Sequence, residues 1–134
     1  MAMNNPQQTY QLNKLTTASP GELTLMLYNG CLKFIKQAKN AIEQGNIQER
    51  NRNLQRAQDI VRELMVTLKT DTELGKNMLA LYDFILRQLI EANMENNLEK
   101  LKIAEEFVTD FRDTWKQAIQ IDRKQRHGVG SESS

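Results

Sequence analysis

A chain of 134 residues, 40% hydrophobic and 26% charged, is long enough for one domain with a single core that needs no metal or disulfide. Its 18 basic and 17 acidic residues leave a net charge of +1, which argues against a protein whose affinity comes from the nucleic-acid phosphate backbone. The lone cysteine, Cys31, excludes an intramolecular disulfide; no apolar run approaches the roughly 20 residues of a membrane span, and no basic segment followed by an apolar run opens the chain. The expectation is a cytoplasmic protein without membrane insertion or nucleic-acid binding, recognising partners by shape and apolar contact.

In chain order, residues 1–16 are polar, with Tyr10, Leu12 and Leu15 as their apolar points, and predict an extended or short-helical arm. Ser19 can cap a first helix, Pro20 suits its first position, and Glu22 completes a capping box. That helix should end near Gln44, with Gly45 as its stop. A second helix is predicted from about Ile47 to Leu68, capped by Asn46, with Leu54, Ala57, Val61, Leu64 and Leu68 at heptad-like spacing. The run Thr70 to Glu73 reads as another capping box opening a third helix, whose Met78, Tyr82, Ile85, Leu89 and Ala92 alternate by four and three. Glu95 to Asn97 reads as a tight turn. A fourth helix over about Leu98–Gln120 carries Leu101, Ala104, Val108, Phe111 and Trp115, and residues 122–134 read as a disordered polar tail. Short turns force neighbouring helices antiparallel. The predicted fold is all-α: an antiparallel, up-down-up-down four-helix bundle over residues 17–121, preceded by the arm or short capping helix.

Chemistry finds no foothold. A di-metal carboxylate bundle needs Glu-x-x-His on two helices, whereas the one histidine, His127, falls in the tail. Cys31 neighbours bundle-facing positions and reads as a small core residue without a base. Glycines are isolated, so no phosphate loop exists. The acid pairs Glu105–Glu106 and Asp110–Asp113 read as solvated faces, and Arg123, Lys124 and Arg126 as complements to a helix carboxyl end. No catalytic residue, metal site or cofactor is expected, and the chain does not read as an enzyme.

What stands out is surplus apolar surface. On a wheel of about 100° per residue, the first helix has a core stripe of Leu27, Cys31, Phe34, Ala38 and Ile42. Leu25 and Leu32 then point roughly opposite, with Tyr28 and Ile35 on the flank between. The fourth helix leaves Ile103, Phe107 and Ile121 away from its core stripe. On the third, Leu79, Leu86 and Ile90 on one flank and Leu81 with Phe84 on the other read as a wide stripe serving two neighbours. Leu25, Tyr28, Leu32, Ile35, Ile103 and Phe107 are therefore the expected partner-facing set, covered by the arm or by another chain.

The segment TASPGELTLMLYNGCLKFIKQA, Thr17 to Ala38, closely resembles the signature opening of the flagellar secretion chaperone family FliS. Tyr10 followed by Gln11, LYDFILRQLIEAN from Leu81 to Asn93, and VTDFRDTWKQAIQ from Val108 to Gln120 extend the likeness over most of the chain. The resemblance implies a bundle that wraps the disordered carboxyl-terminal segment of flagellin around its outside and prevents premature polymerisation. It also implies delivery to the flagellar export gate, with room for other flagellar regulatory or assembly partners. By the same resemblance Tyr10, Leu12 and Leu15 cap part of the groove until flagellin displaces them. Recognition of this kind places a helix in a groove and couples binding to client folding, without ATP. The alternative is a structural homo-oligomer, such as a homodimer, that uses the same apolar surface on itself.

Overall fold

The computed structural model describes residues 20–132. The arm residues Tyr10, Leu12 and Leu15, and the capping Ser19, lie outside the described residues. Four helices follow: α1, Pro20–Glu43; α2, Ile47–Val66; α3, Glu73–Glu95; and α4, Leu98–Glu132. Each packs on its neighbours in a closed ring, α1 on α2 and α4, α3 on α2 and α4, and every adjacent pair runs antiparallel. This is the expected all-α four-helix bundle.

Local chemistry sets most boundaries. Gly45 takes a left-handed φ of 71°, and the N–H groups of Gly45 and Asn46 reach back to the carbonyls of Ile42 and Ala41, closing α1 as the sequence suggested. Asn46 then caps α2, its Oδ1 accepting from the Glu49 N–H at 3.1 Å. Asn96, at φ 52°, turns the chain between α3 and α4, and the Asn97 side chain accepts from the Lys100 N–H at 3.2 Å to begin α4.

Two boundaries differ from expectation. Thr72, not Thr70, caps α3: its hydroxyl accepts from the Gly75 N–H at 3.0 Å and donates to the Lys69 carbonyl at 3.4 Å. Gly75 permits this later start, because the Lys69 carbonyl presses against its Cα and a Cβ would overlap that oxygen. At the other end, α4 continues through the segment 122–134 as far as Glu132 rather than ending near Gln120. The polar residues there form helix through an Asp122–Arg126 pair at 3.1 Å, one turn apart, and an ion pair from Arg123 to Glu22 of α1.

The core joins Leu54, Ala57, Val61 and Leu64 of α2 with Tyr82, Ile85, Leu89 and Ala92 of α3 and Leu101, Ala104 and Val108 of α4, at the spacings read from the sequence. Helix α1 is the exception and requires a correction. Its buried residues are Tyr28 (1% exposed), Cys31, Leu32 (4%), Ile35 (0%), Ala38 and Ala41, whereas Leu27, Phe34 and Ile42 are only partly buried. Tyr28, Leu32 and Ile35, expected to face outward, are core. The reason is geometric: α1 lies between α2 and α4, so its buried arc widens to about 180° on the wheel and centres away from Phe34. Phe34 sits at the rim, with Arg56 and Lys33 at 5.6 and 5.8 Å from its ring centre.

Tyr28 also carries the one hydroxyl pair of the described core. Its OH meets that of Tyr82 at 2.5 Å, and its ring stacks on Phe111 at 5.8 Å. Burial, reinforced by this hydrogen bond, pushes the Tyr28 hydroxyl far above its ordinary pKa; burial also raises that of Tyr82. Both phenols stay neutral in the fold, so the pair favours folding below about pH 10, and stability falls as pH rises past the value at which unfolded tyrosine ionises. Tyr28→Phe alone leaves the Tyr82 hydroxyl buried without its partner and is expected to cost about 1–3 kcal/mol; Tyr28→Phe with Tyr82→Phe should recover most of that loss. Urea unfolding of both single variants and the double variant measures the coupling.

Candidate functional site

Ile47, Val66, Leu74 and Met94 stay exposed at helix ends, while an apolar patch shared by two helices lies along the α3/α4 face. On α3, Tyr82 and Ile85 turn inward, and the residue before each, Leu81 and Phe84, is carried about 100° away to the surface. Both are 38% exposed, and Ile103 on α4 is 37% exposed. Phe107 is half-buried and packs against the core, and its ring meets that of Phe84 edge-on, centres 5.2 Å apart at 64°. Two aromatic rings from different helices and two aliphatic side chains thus form one patch.

Polar features bound this patch at one end. Lys100 reaches across to Glu91 at 3.1 Å and Glu95 at 3.0 Å, and hydrogen bonds to Glu95 and then Glu91 raise the pKa of its ammonium. In the other direction α4 continues to exposed Ile121, which the helical period returns to the side of Ile103. From Ile103 to Ile121 is about 27 Å at 1.5 Å per residue, the length of roughly five turns of a partner helix.

Of the six residues expected to face a partner, the structure brings together Ile103 and Phe107. Leu25 stands half-buried on α1, on the α4 side. Tyr28, Leu32 and Ile35 belong to the core. Leu81 and Phe84 were missed as partner-facing residues because the wide-stripe reading had assigned them to packing. Their flank position was visible in the sequence; the meeting of Phe84 with Phe107 was not, since it depends on the register of two antiparallel helices.

Nothing in this patch is reactive. Cys31 lies in the core, where burial pushes its thiol up to about 12, so it carries almost no thiolate at neutral pH. Among the described residues no group of three or more His, Cys, Asp or Glu side chains is placed to hold a metal ion, and no helix is long and apolar enough to cross a membrane. The face offers partly exposed apolar side chains and no reactive group among the described residues.

Comparison with known proteins adds a family. The model of a family described as "Flagellar protein FliS" matches residues 3–122. The chain is 54% identical to a flagellar secretion chaperone FliS of Bacillus subtilis (strain 168), over 97% of its own length and 98% of the relative's. It is 32% identical to the Vibrio cholerae protein of the same description, over 78% of this chain and 79% of that one. With the Escherichia coli K12 protein of that description the identity is 29%, over 77% and 78%.

Proposed function

Because the chain belongs to the FliS family of flagellar secretion chaperones, we propose that it acts in the cytoplasm by binding the carboxyl-terminal segment of flagellin along its α3/α4 face. Occupying a segment that flagellin subunits use to pack together keeps them from polymerising, and the complex is then delivered to the export gate. The observation that carries this reading is the Phe84–Phe107 ring contact between two helices, with Phe84, Leu81 and Ile103 each more than a third exposed beside it. The proposed surface keeps Ile103 and Phe107, adds Leu81 and Phe84, and omits Tyr28, Leu32 and Ile35.

Magnitudes limit what this patch can do alone. Full burial of such a side chain contributes about 1.5–3 kcal/mol, and these four are already partly covered, so together they offer roughly 3–6 kcal/mol. Ordering one backbone residue costs about 1–2 kcal/mol. A client helix of several turns must therefore also bury its own apolar residues and use further surface beyond this patch. An extended client that touches more than one face satisfies both requirements.

The arm fits the same scheme as a displaceable cap. Gly21, beside the arm's exit, is level with Trp115, whose Nε1 donates to the Gly21 carbonyl at 2.8 Å. Phe107 lies eight residues back along α4, about 12 Å along the helix axis, whereas the ten residues from Tyr10 to Pro20 reach up to about 33 Å. That length allows Tyr10 to reach the patch, while Leu15, five residues from Pro20, extends about 17 Å at most. Calorimetric titration with monomeric flagellin tests the proposal: binding at micromolar Kd or tighter is expected, and no heat from a folded protein at about 10 μM overturns it. Sedimentation of the free protein tests the alternative, since a dimer that Phe84→Ala converts to monomer assigns the patch to self-association.

A further inference from the structure

Ion pairs hold the seam between α1 and α4 at both ends: Glu22 with Arg123 near the start of α1, and Lys39 with Glu105 at 3.0 Å toward its end. Between these pairs, over about 25 Å of α1, the charges cease to balance. Lys33 and Lys36 of α1 and Arg112 of α4, together with Asn29, Gln37 and the nearly buried Leu32, line an open depression of about 400 Å³. No carboxylate lines it among the described residues. Arg112 leans on its chain neighbour Asp113 at 3.0 Å, Lys33 rests near the Phe34 ring, and no described carboxylate pairs with Lys33 or Lys36. Cations from two helices are thus gathered in one concavity, where mutual repulsion favours entry of negative charge.

We propose that this depression docks an acidic peptide segment of a partner protein, carboxylates engaging Lys33 and Lys36 on one side and Arg112 on the other. Charge complementarity names the occupant: Lys33, Lys36 and Arg112 come from two helices, and no carboxylate is among the lining residues. The site is distinct from the α3/α4 patch. Arg112 follows Ile103 by nine residues, about 900° of helical rotation, which places it on the opposite side of α4. It does not depend on flagellin being the client of that patch.

The test uses the full chain and a fluorescein-labelled peptide of four Glu-Glu-Leu repeats, with the same peptide carrying Gln for Glu as control. Anisotropy should show the acidic peptide binding at least about tenfold more tightly than the control, and weakening about tenfold between roughly 0.05 and 0.5 M salt. Lys33→Glu with Lys36→Glu should weaken binding about tenfold or more, and Arg112→Gln about threefold, whereas the charge-matched pair Lys69→Glu with Lys76→Glu should stay within about twofold. Those lysines are exposed, so the variants are expected to keep the parent's melting temperature. Equal binding of the two peptides overturns the proposal, as does equal loss in both charge-matched double variants, which would reduce the effect to net charge. Lys33- and Lys36-dependent binding to phosphatidylglycerol vesicles without peptide binding also overturns it, in favour of a membrane surface.

Discussion

Alanine at both Phe84 and Phe107 is expected to weaken binding of the flagellin carboxyl-terminal segment by about two to three orders of magnitude. Aromatic anchors at the centre of an interface each contribute about 2 kcal/mol or more on truncation, and every 1.4 kcal/mol is tenfold in Kd. Because these two rings touch at 5.2 Å, their effects should not add fully, which sets the estimate near 3–4 kcal/mol. The stability effect should be unequal. Phe84 is 38% exposed, so its removal should cost less stability than that of Phe107, which packs against the core and whose loss should cost about 1–3 kcal/mol. Phe84→Glu therefore separates recognition from folding most cleanly: a buried carboxylate in the complex opposes binding, and in the free protein it meets water. Calorimetry with circular dichroism decides the matter. A folded double variant that binds within about threefold of the parent would move the client off this face.

How far the sequence could be read depended on whether each signal was local. Asn46 and Gly45 act within three or four residues, so cap and stop were legible from type and spacing alone. The core of α2 was legible because polar and charged residues flank a single stripe, and those of α3 and α4 because one set of residues repeats by four and three along the whole helix. On α1 apolar residues occupy most of the wheel, and a stripe that wide has no unique centre in one dimension. Only the positions of α2 and α4 fix it, turning Tyr28 and Ile35 inward and Phe34 to the rim. Thr72 prevailed over Thr70 because the Lys69 carbonyl folds back onto Gly75, a contact that the capping-box pattern does not encode. The patch itself was half legible: Ile103 and Phe107 were visible as surplus, but Phe84 became significant only once antiparallel register set its ring beside Phe107.

The corrected orientation of α1 has its own large expected effect. Ile35→Ala should destabilise the bundle by about 2–5 kcal/mol, the range for deleting a fully buried aliphatic side chain, because Ile35 has no exposed surface and its neighbours are held by four helices. For a bundle of this size, about 3–5 °C per kcal/mol puts the fall in melting temperature at roughly 6–25 °C. Leu25→Glu, at a half-buried position, should lower it far less, whereas Leu25→Glu with Leu32→Glu should fail to fold stably, since Leu32 would carry a charge into the core cluster. An outward-facing Ile35 predicts the reverse pattern: unchanged melting in Ile35→Ala and a selective loss of client binding. Thermal unfolding followed by circular dichroism distinguishes the two without any client present. If Ile35→Ala melts with the parent, the buried arc of α1 is misplaced, and the groove must be sought on α1 rather than between α3 and α4.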